Sequence, residues 1–171
     1  MTNVLVFGYG NLSRGDDALG PLLIEYIEKH VYFSGLEIIT DFQLQIEHAL
    51  DLEGRDLVLF VYAAVGCDQP YQFSRLAPEK DRSYTTHAMS PTSVLSVYQD
   101  VVHKQPPPCF LLSIQALNFE LGTDLSEQAR LNLDLAEKFV QQLLGNPELD
   151  NWLKFISHIE IQATNLRRDT Y

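Results

Sequence analysis

A continuous apolar run in the middle of the chain constrains the fold more than any other feature. Residues Leu57 to Val61 have the sequence Leu-Val-Leu-Phe-Val, with the charged Arg55 and Asp56 in front and Gly66 behind. A strand with one solvent-facing side alternates apolar and polar residues, whereas a parallel strand covered by helices on both faces is apolar throughout. The run therefore predicts a central strand of a parallel sheet with helices on both sides.

The rest of the chain alternates short apolar segments with helical patterns. Further strands are predicted at 3–7, 36–40 and 109–114, with an edge strand at 71–76 where apolar and polar residues alternate. Apolar residues at three- and four-residue spacing predict helices at about 19–31, 43–52, 91–105, 126–145 and 147–158. This order predicts an α/β fold, a three-layer α/β/α sandwich with a mainly parallel, twisted sheet of about five strands. Sites in such sheets form beyond the carboxyl ends of the strands.

Length and composition favour one domain. A chain of 171 residues, 46% of them hydrophobic, suffices for a single core, so we expect one domain spanning 1–171. Its last part, about 147–171, is expected to hold a helix and then a polar, loosely attached tail. Trp152, with Leu149, Leu153 and Ile156, makes an apolar stripe typical of core packing, although contact with a partner subunit is the alternative.

Charge and cysteine content exclude several classes of function. The formal net charge of -11 disfavours nucleic acid and anionic membranes as partners, because both would be repelled. Cys67 and Cys109 lack the CxxC spacing of a zinc site or a disulfide framework. The N-terminus has neither a basic segment nor an apolar stretch long enough for a signal peptide or a membrane span. We expect a cytoplasmic protein without a nucleic-acid or membrane partner.

The most informative segment joins the first strand to the first helix. Gly8 to Gly20 has the sequence Gly-Tyr-Gly-Asn-Leu-Ser-Arg-Gly-Asp-Asp-Ala-Leu-Gly. A glycine-rich turn at this place suggests a dinucleotide site, but the third glycine of that motif would fall at Ser13 and two carboxylates stand where phosphate would bind. Asp41, at the end of the second strand where a ribose-binding acid would lie, keeps a nucleotide-binding α/β domain as an alternative.

The two carboxylates have a structural explanation and a functional one. Acids at a helix start are stabilised by the helix dipole and free N–H groups without any catalytic role. The wider pattern Gly-x-Gly-Asn-x-x-x-x-Asp-Asp-x-x-Gly, however, resembles the N-terminal signature of the nickel-iron hydrogenase maturation endopeptidases. The resemblance implies that Asp17, the second acid, is a metal-binding residue.

A second segment carries the same resemblance. His87 lies in the run Thr-Thr-His-Ala-Met-Ser-Pro, just before a predicted helix. A lone histidine there is usually a surface or capping residue, but the family has its metal-binding histidine at this position. Together with Gln43 to Ala49, the run resembles the branch that serves the soluble, bidirectional NAD-reducing hydrogenases. The resemblance covers about Asn3 to Leu144.

The end of the third strand departs from the family pattern. The family has Asp-Ala there, with the aspartate as a further metal ligand, whereas this chain has Tyr62-Ala63. A phenol, with an ordinary pKa near 10, is a poorer ligand at neutral pH than a carboxylate, and its ring fills space. Weakened or lost activity is therefore expected, with ligation by Tyr62 as phenolate beside the metal's charge as the alternative. Asp68, close by in sequence, is a further candidate acid.

The resemblance implies a hydrolase that recognises nickel in the precursor of a hydrogenase large subunit and removes its C-terminal extension. Asp17 and His87 would join the precursor's own ligands, so nickel comes with the substrate and no permanently bound cofactor is expected. Either the metal polarises the peptide carbonyl or Asp16 or Asp17 activates water. Asn11 is expected to fix the glycine turn and Asp41 to shape the cleft.

Two further expectations complete this interpretation. With Tyr62 in place, the alternative function is a nonhydrolytic form that binds the precursor without cutting it. A monomer is the expected state, because it is the simplest one for a protein that docks a larger precursor. The remaining histidines, scattered over predicted helices, are expected to be structural or exposed: His30, His48, His103 and His158.

Overall fold

The computed structural model of the protein describes residues 1–80 and 89–156. Its strands are β1 (Val4–Tyr9), β2 (Leu36–Asp41), β3 (Leu57–Val65), β4 (Tyr71–Leu76) and β5 (Cys109–Ala116). Its helices are α1 (Leu19–His30), α2 (Pro91–Val102) and α3 (Glu127–Gly145), with short 3-10 helices at Gly15–Ala18 and Ile46–Leu52. Residues 149–156 are also helical.

The five strands form one sheet in the order β2-β1-β3-β5-β4. The pairs β1–β2, β1–β3 and β3–β5 are parallel, and β4 pairs antiparallel with β5 at the edge. The run Leu57 to Val61 is fully buried in β3, between β1 and β5. The predicted central strand, edge strand and mainly parallel sheet are thus confirmed. The four parallel strands end along one side of the sheet, which we call the carboxyl edge.

Helices cover both faces of the sheet, because neighbouring residues of the central strands point to opposite sides. Leu57 and Leu59 pack with the apolar stripes of α1 and α3. Val58 and Phe60 pack on the other face with α2 and the Ile46–Leu52 helix. Burying each such side chain contributes about 1.5–3 kcal/mol, so these two clusters hold the three layers together.

Two helices begin where a serine caps them. The Ser90 Oγ atom accepts a hydrogen bond from the Ser93 amide, and Pro91 takes the first helical position of α2. The Ser126 Oγ atom likewise accepts a bond from the Ala129 amide at the start of α3. Such caps satisfy amides that lack a partner within the helix. The beginnings predicted for these two helices are confirmed.

The short helix predicted at 43–52 is present over a smaller range. The structure has a 3-10 helix at Ile46–Leu52, in which Ala49 and Leu52 are buried while Ile46 and Leu50 are exposed. Buried residues three apart match the three-residue turn of a 3-10 helix. The segment leads from the end of β2 towards the start of β3 and presents Ile46 and Leu50 to solvent.

The C-terminal helix packs into the core. Trp152 is fully buried, and its Nε1–H donates to the Leu143 carbonyl at 2.9 Å. Its ring packs edge-on against Phe73 and Phe110. Core packing is therefore confirmed for Trp152, while the tail predicted from residue 160 lies outside the described residues. Over residues 1–80 and 89–156, no helix combines the length and apolar character needed to cross a membrane.

Candidate functional site

The loop after β1 is shaped by a close approach of two backbone segments. Gly10 has a φ of 148°, and a Cβ atom there would overlap the backbone oxygen of Asp17. Its amide donates to the Asp41 carbonyl at 3.1 Å, and the next amide, that of Asn11, donates to the Asp17 Oδ2 atom at 3.0 Å. Only glycine meets both demands at position 10. The loop after β1 is thus bonded to Asp41 through Gly10 and to Asp17 through Asn11. These bonds fix the positions of both acids at the carboxyl edge.

Asn11 stabilises the same loop. Its Oδ1 atom accepts a hydrogen bond of 2.8 Å from the amide of Ser13, two residues along the chain. This is the arrangement by which asparagine side chains replace a backbone turn. It agrees with the expected structural role in the glycine turn.

Asp17 is half-buried and offers one free oxygen. Its Oδ2 atom accepts the Asn11 amide, and within the described residues no group donates to Oδ1. Burial raises the pKa of Asp17 above its ordinary value, although the Asn11 amide and the Arg14 guanidinium act in the opposite direction. A partly desolvated carboxylate with a free oxygen is well suited to bind a cation, whose charge would restore the lost solvation.

Asp16 is fully buried and its carboxylate is occupied. It accepts bonds from the amides of Leu117 (2.8 Å), Asn118 (3.2 Å) and Ser126 (2.8 Å), and from the Ser126 hydroxyl (2.8 Å). Burial alone would raise the pKa of Asp16, but these four bonds outweigh it and hold the pKa below its ordinary value. The side chain ties the β5–α3 connection to the loop after β1. This geometry favours a positioning role for Asp16 over the activation of water.

Two tyrosines lie where the central strands end. Tyr9 is the last residue of β1, and Tyr62 lies in β3 alongside it; their rings are stacked, with centroids 5.5 Å apart and planes inclined by 9°. Burial, followed by the electrostatic effects of Tyr62 and Asp17, raises the pKa of Tyr9 far above its ordinary value. Tyr9 is therefore a neutral phenol at neutral pH. Tyr9 is not among the site residues predicted from the sequence, although its place at the end of a central strand was a usable signal.

Asp41 is paired with a histidine that the sequence analysis set aside. The His48 Nε2 atom lies 3.2 Å from the Asp41 Oδ2 atom, and the Asp41 Oδ1 atom accepts the Phe42 amide at 2.7 Å. The His48 Nδ1 atom accepts the Gln45 amide at 2.8 Å, which places the ring proton on Nε2, facing Asp41. His48, which was expected to be structural or exposed, therefore lies beside the end of β2, because the turn after β2 folds back on the last residue of that strand.

The remaining predicted residues lie apart or outside this cluster. Asp68 is exposed in the turn after β3. His87, the histidine ligand implied by the resemblance, lies outside the described residues. Within residues 1–80 and 89–156, no three His, Cys, Asp or Glu side chains lie close enough together to hold a metal ion. The described part of the site thus supplies Asp17 as its carboxylate donor, beside the tyrosine pair.

The amides that a phosphate would need are engaged within the protein. The Asn11 amide donates to Asp17, the Gly15 amide to the Thr123 carbonyl and the Asp16 amide to the Asn118 carbonyl. Dinucleotide sites use the free amides of such a turn and of the following helix start. The arrangement argues against the nucleotide-binding alternative.

Solved structures with the same fold include hydrogenase maturation proteases. A NiFe hydrogenase maturation protease, HycI, from Thermococcus kodakarensis is 22% identical, with a TM-score of 0.68 over 85% of this chain and 94% of that one. The hydrogenase maturating endopeptidase HybD from E. coli is 22% identical, with a TM-score of 0.67 over 84% of this chain and 92% of that one. No protein-family model and no curated protein matches the sequence. At this identity the likeness shows a shared fold.

Proposed function

We propose that this protein is an endopeptidase of the hydrogenase maturation family, which removes the C-terminal extension of a nickel-loaded large-subunit precursor. One observation carries the proposal: the loop after β1 holds the half-buried Asp17, with a free oxygen, at the carboxyl edge of a fold shared with solved maturation proteases. The sequence around Asp17 and His87 resembles the family's metal-binding motifs, which supports the same conclusion.

Asp17 is the proposed contact to the metal in the precursor. Nickel is a borderline metal that accepts oxygen and imidazole ligands, so Asp17 and His87 are suitable donors. In this proposal nickel is part of the substrate, and its presence marks a precursor ready for cleavage.

The chemical step is hydrolysis of one peptide bond. A water oxygen attacks the carbonyl carbon, the C–N bond breaks, and the leaving amine takes up a proton. Either the metal held by Asp17 polarises the carbonyl or, as the alternative, a carboxylate takes the proton from water. Of the two acids, Asp17 is the one with an oxygen that accepts no bond from the described residues. Asp16 acts by holding the loop that positions Asp17.

A second candidate function is binding of the precursor without cleavage. The observation that favours it is the stack of Tyr62 on Tyr9, because an aromatic pair fills the place where the family has an acidic ligand. Tyr9 is held neutral there, so the described site carries one carboxylate and two rings. Such a site would keep the contact of Asp17 to the metal in the precursor but would lack the acidic ligand that the family has at position 62.

The proposed setting follows from the sequence resemblance. The segments around Gln43 to Ala49 and His87 resemble the branch that serves soluble, bidirectional NAD-reducing hydrogenases, so the large-subunit precursor of such an enzyme is the proposed partner. We propose that the protein acts on it as a monomer in the cytoplasm. The net charge of -11 supports a partner other than nucleic acid or an anionic membrane.

Mass spectrometry of such a precursor, incubated with the protein with and without inserted nickel, tests the proposal. Loss of one defined C-terminal peptide only from the nickel-loaded precursor is the expected result for an active enzyme. Cleavage by the Tyr62→Asp variant alone would identify the native chain as the nonhydrolytic form, with Tyr62→Phe as the matched control that keeps the ring. If neither form cuts the loaded precursor, the proposed protease function is wrong.

A further inference from the structure

Exposed apolar side chains are concentrated at the carboxyl edge. Of the large hydrophobic residues exposed within the described chain, six lie at or just after the carboxyl ends of parallel strands: Leu12, Phe42, Ile46, Val65, Leu117 and Leu121. Phe42 is 71% exposed and Leu121 67%. Isolated exposed apolar residues are ordinary, but a cluster around one edge marks a surface that another molecule covers.

Five of these residues fall into two patches. The first, which we call the β2 patch, comprises Phe42 and Ile46 and directly follows β2. The second, the β5 patch, comprises Leu12, Leu117 and Leu121. Its members come together because the Gly122 amide donates to the Ser13 carbonyl at 2.7 Å and the Leu117 amide donates to Asp16. The loop after β1 and the loop after β5 thus form one continuous surface.

The strand order places the candidate site between the patches. β1 and β3 are the two central strands between β2 and β5. Tyr9 is the last residue of β1, and Tyr62 lies beside it within β3, which continues to Val65. The distance from β2 to β5 is three strand spacings, or about 14 Å. An extended chain covers this distance with about four residues. A segment lying across the edge would therefore contact one patch, pass the tyrosines and Asp17, and reach the other patch.

The charge of this surface is acidic. Within residues 1–80 and 89–156, the exposed acids in the loops of the carboxyl edge are Glu47, Asp68, Glu120 and Asp124, and the exposed base is Arg14. A second copy of the chain would bring the same acidic edge and the same net charge of -11, which opposes self-association through this face. A cationic partner is attracted by the same field.

We infer that the carboxyl edge is a docking groove for an extended polypeptide segment that is net basic and has apolar side chains about four residues apart. The inference rests on the proposed function, because it describes the precursor segment that would lie across Asp17. It adds the recognition chemistry of that segment, namely two apolar contacts on either side of the site and a positive charge between or around them.

Binding of a synthetic peptide tests the groove without requiring cleavage. The probe is a fluorescein-labelled peptide of about ten residues, with two leucines four positions apart among lysine, glycine and serine. One protein variant carries Phe42→Ser and Ile46→Ser, and another carries Leu117→Ser and Leu121→Ser. The matched control carries Val101→Ser and Leu131→Ser, which remove equally exposed apolar side chains from α2 and α3. Fluorescence anisotropy gives Kd, and circular dichroism checks the fold of each variant.

We expect each patch variant to bind the probe about tenfold more weakly than the native chain, and the control to bind within about twofold of it. Added salt should weaken binding, and a peptide with glutamate in place of lysine should not bind. Equal binding by the patch variants and the control would overturn the inference, as would equal binding of the glutamate peptide. A dimer that buries the patches, found by sedimentation, would assign the groove to a second copy and also overturn it.

The precursor assay separates this inference from the proposed function. Cleavage of the nickel-loaded precursor at the native rate by both patch variants would retain the protease and overturn the groove. Patch-dependent binding of the probe, combined with an uncut precursor for the native and Tyr62→Asp chains, would retain the groove and overturn the protease.

Discussion

Asp16 and Asp17 are neighbours in sequence but belong to two different regions of the molecule. The region around Asp16 is a buried junction, where one carboxylate receives four hydrogen bonds from the loop after β5. The region around Asp17 is open: one oxygen is bonded to Asn11, and the other receives no hydrogen bond from the part of the chain that the structure describes. The same functional group is thus structural in one region and available for chemistry in the other. Its hydrogen-bond partners, rather than its residue type, determine which role it takes.

The pKa values of Asp16 and Asp17 differ in the way that their hydrogen bonds predict. Hydrogen bonds hold the pKa of Asp16 below its ordinary value, whereas burial raises the pKa of Asp17. A carboxylate that is stabilised by donors has little reason to bind a cation or a proton. One that has lost solvent without gaining donors binds both more readily. Substitutions of the two acids are therefore expected to separate stability from activity.

Replacing Asp17 by Asn should produce the largest effect. The substitution keeps the size of the side chain but removes the charge, so we expect cleavage of the precursor to fall by about 10³-fold, or about 4 kcal/mol. Unfolding in urea should change by less than about 1 kcal/mol, because Asp17 makes a single hydrogen bond to the Asn11 amide. The rate is measured in whichever of the native and Tyr62→Asp chains cuts. Retention of full activity would contradict the assignment of Asp17 as the metal contact.

Replacing Asp16 by Asn should mainly affect stability. One oxygen becomes an NH₂ group facing donors from Leu117, Asn118 or Ser126, and the charge that strengthened these bonds is lost. We expect the free energy of unfolding to decrease by about 2–4 kcal/mol, measured by urea denaturation. Asp17→Asn is the matched control, because it makes the same change one residue away. Equal stability of the two variants would contradict the contrast between the regions.

Acidification should separate the two regions within one protein. The folded-state pKa of Asp16 is lowered, so the stability it provides is present above its ordinary pKa of 3.8 and is lost as the pH falls through the folded-state pKa. The pKa of Asp17 is raised, so its carboxylate is protonated at a pH above 3.8. We therefore expect precursor binding to be lost at a higher pH than the fold. Binding assays and circular dichroism over the same pH series measure the order, and simultaneous loss would contradict it.

The fold was predictable because its determinants are local. The apolar run Leu57 to Val61 is long and continuous enough to require a covered strand, and caps such as Ser90 and Ser126 mark helix starts. The Ile46–Leu52 segment was less predictable. Its apolar residues satisfy a helical spacing, but Ile46 and Leu50 face solvent, so the pattern does not correspond to a buried face.

The site was predictable only in part. The motif around Asp17 pointed to the loop after β1, where the structure has a half-buried carboxylate, but the contrast with Asp16 depends on amides of the β5–α3 connection about a hundred residues later. Local sequence does not contain such long-range pairings. The stack of Tyr9 on Tyr62 also depends on which strands are neighbours, since β1 and β3 are not consecutive in the chain.

Substitution of His48, the partner of Asp41, should have the smallest effect on stability and cleavage. It tests whether Asp41 belongs with the Asp16 region or with the Asp17 region. Asp41 shares features of both regions, because its side chain accepts Phe42 and His48 while its carbonyl accepts Gly10 of the loop that holds Asp17. Removing the ring in His48→Ala frees the Asp41 Oδ2 atom and the Gln45 amide. We expect stability to fall by about 1 kcal/mol and precursor cleavage by about threefold, measured by urea denaturation and by mass spectrometry over time.

Two further variants decide whether the histidine acts through Asp41. His48→Gln retains an N–H that can reach Asp41, so partial recovery of both quantities is expected from the hydrogen bond. His30→Gln is the control, because His30 is exposed at the end of α1, where its Nδ1 atom contacts the Tyr26 carbonyl. It should leave both quantities unchanged. The contrary outcome is that His48→Gln behaves like His48→Ala and that both lose stability but not cleavage activity. His48 would then act by packing against Phe7, since the two rings make an edge-on contact with centroids 4.5 Å apart. Asp41 would in that case belong to the structural region rather than to the open region around Asp17.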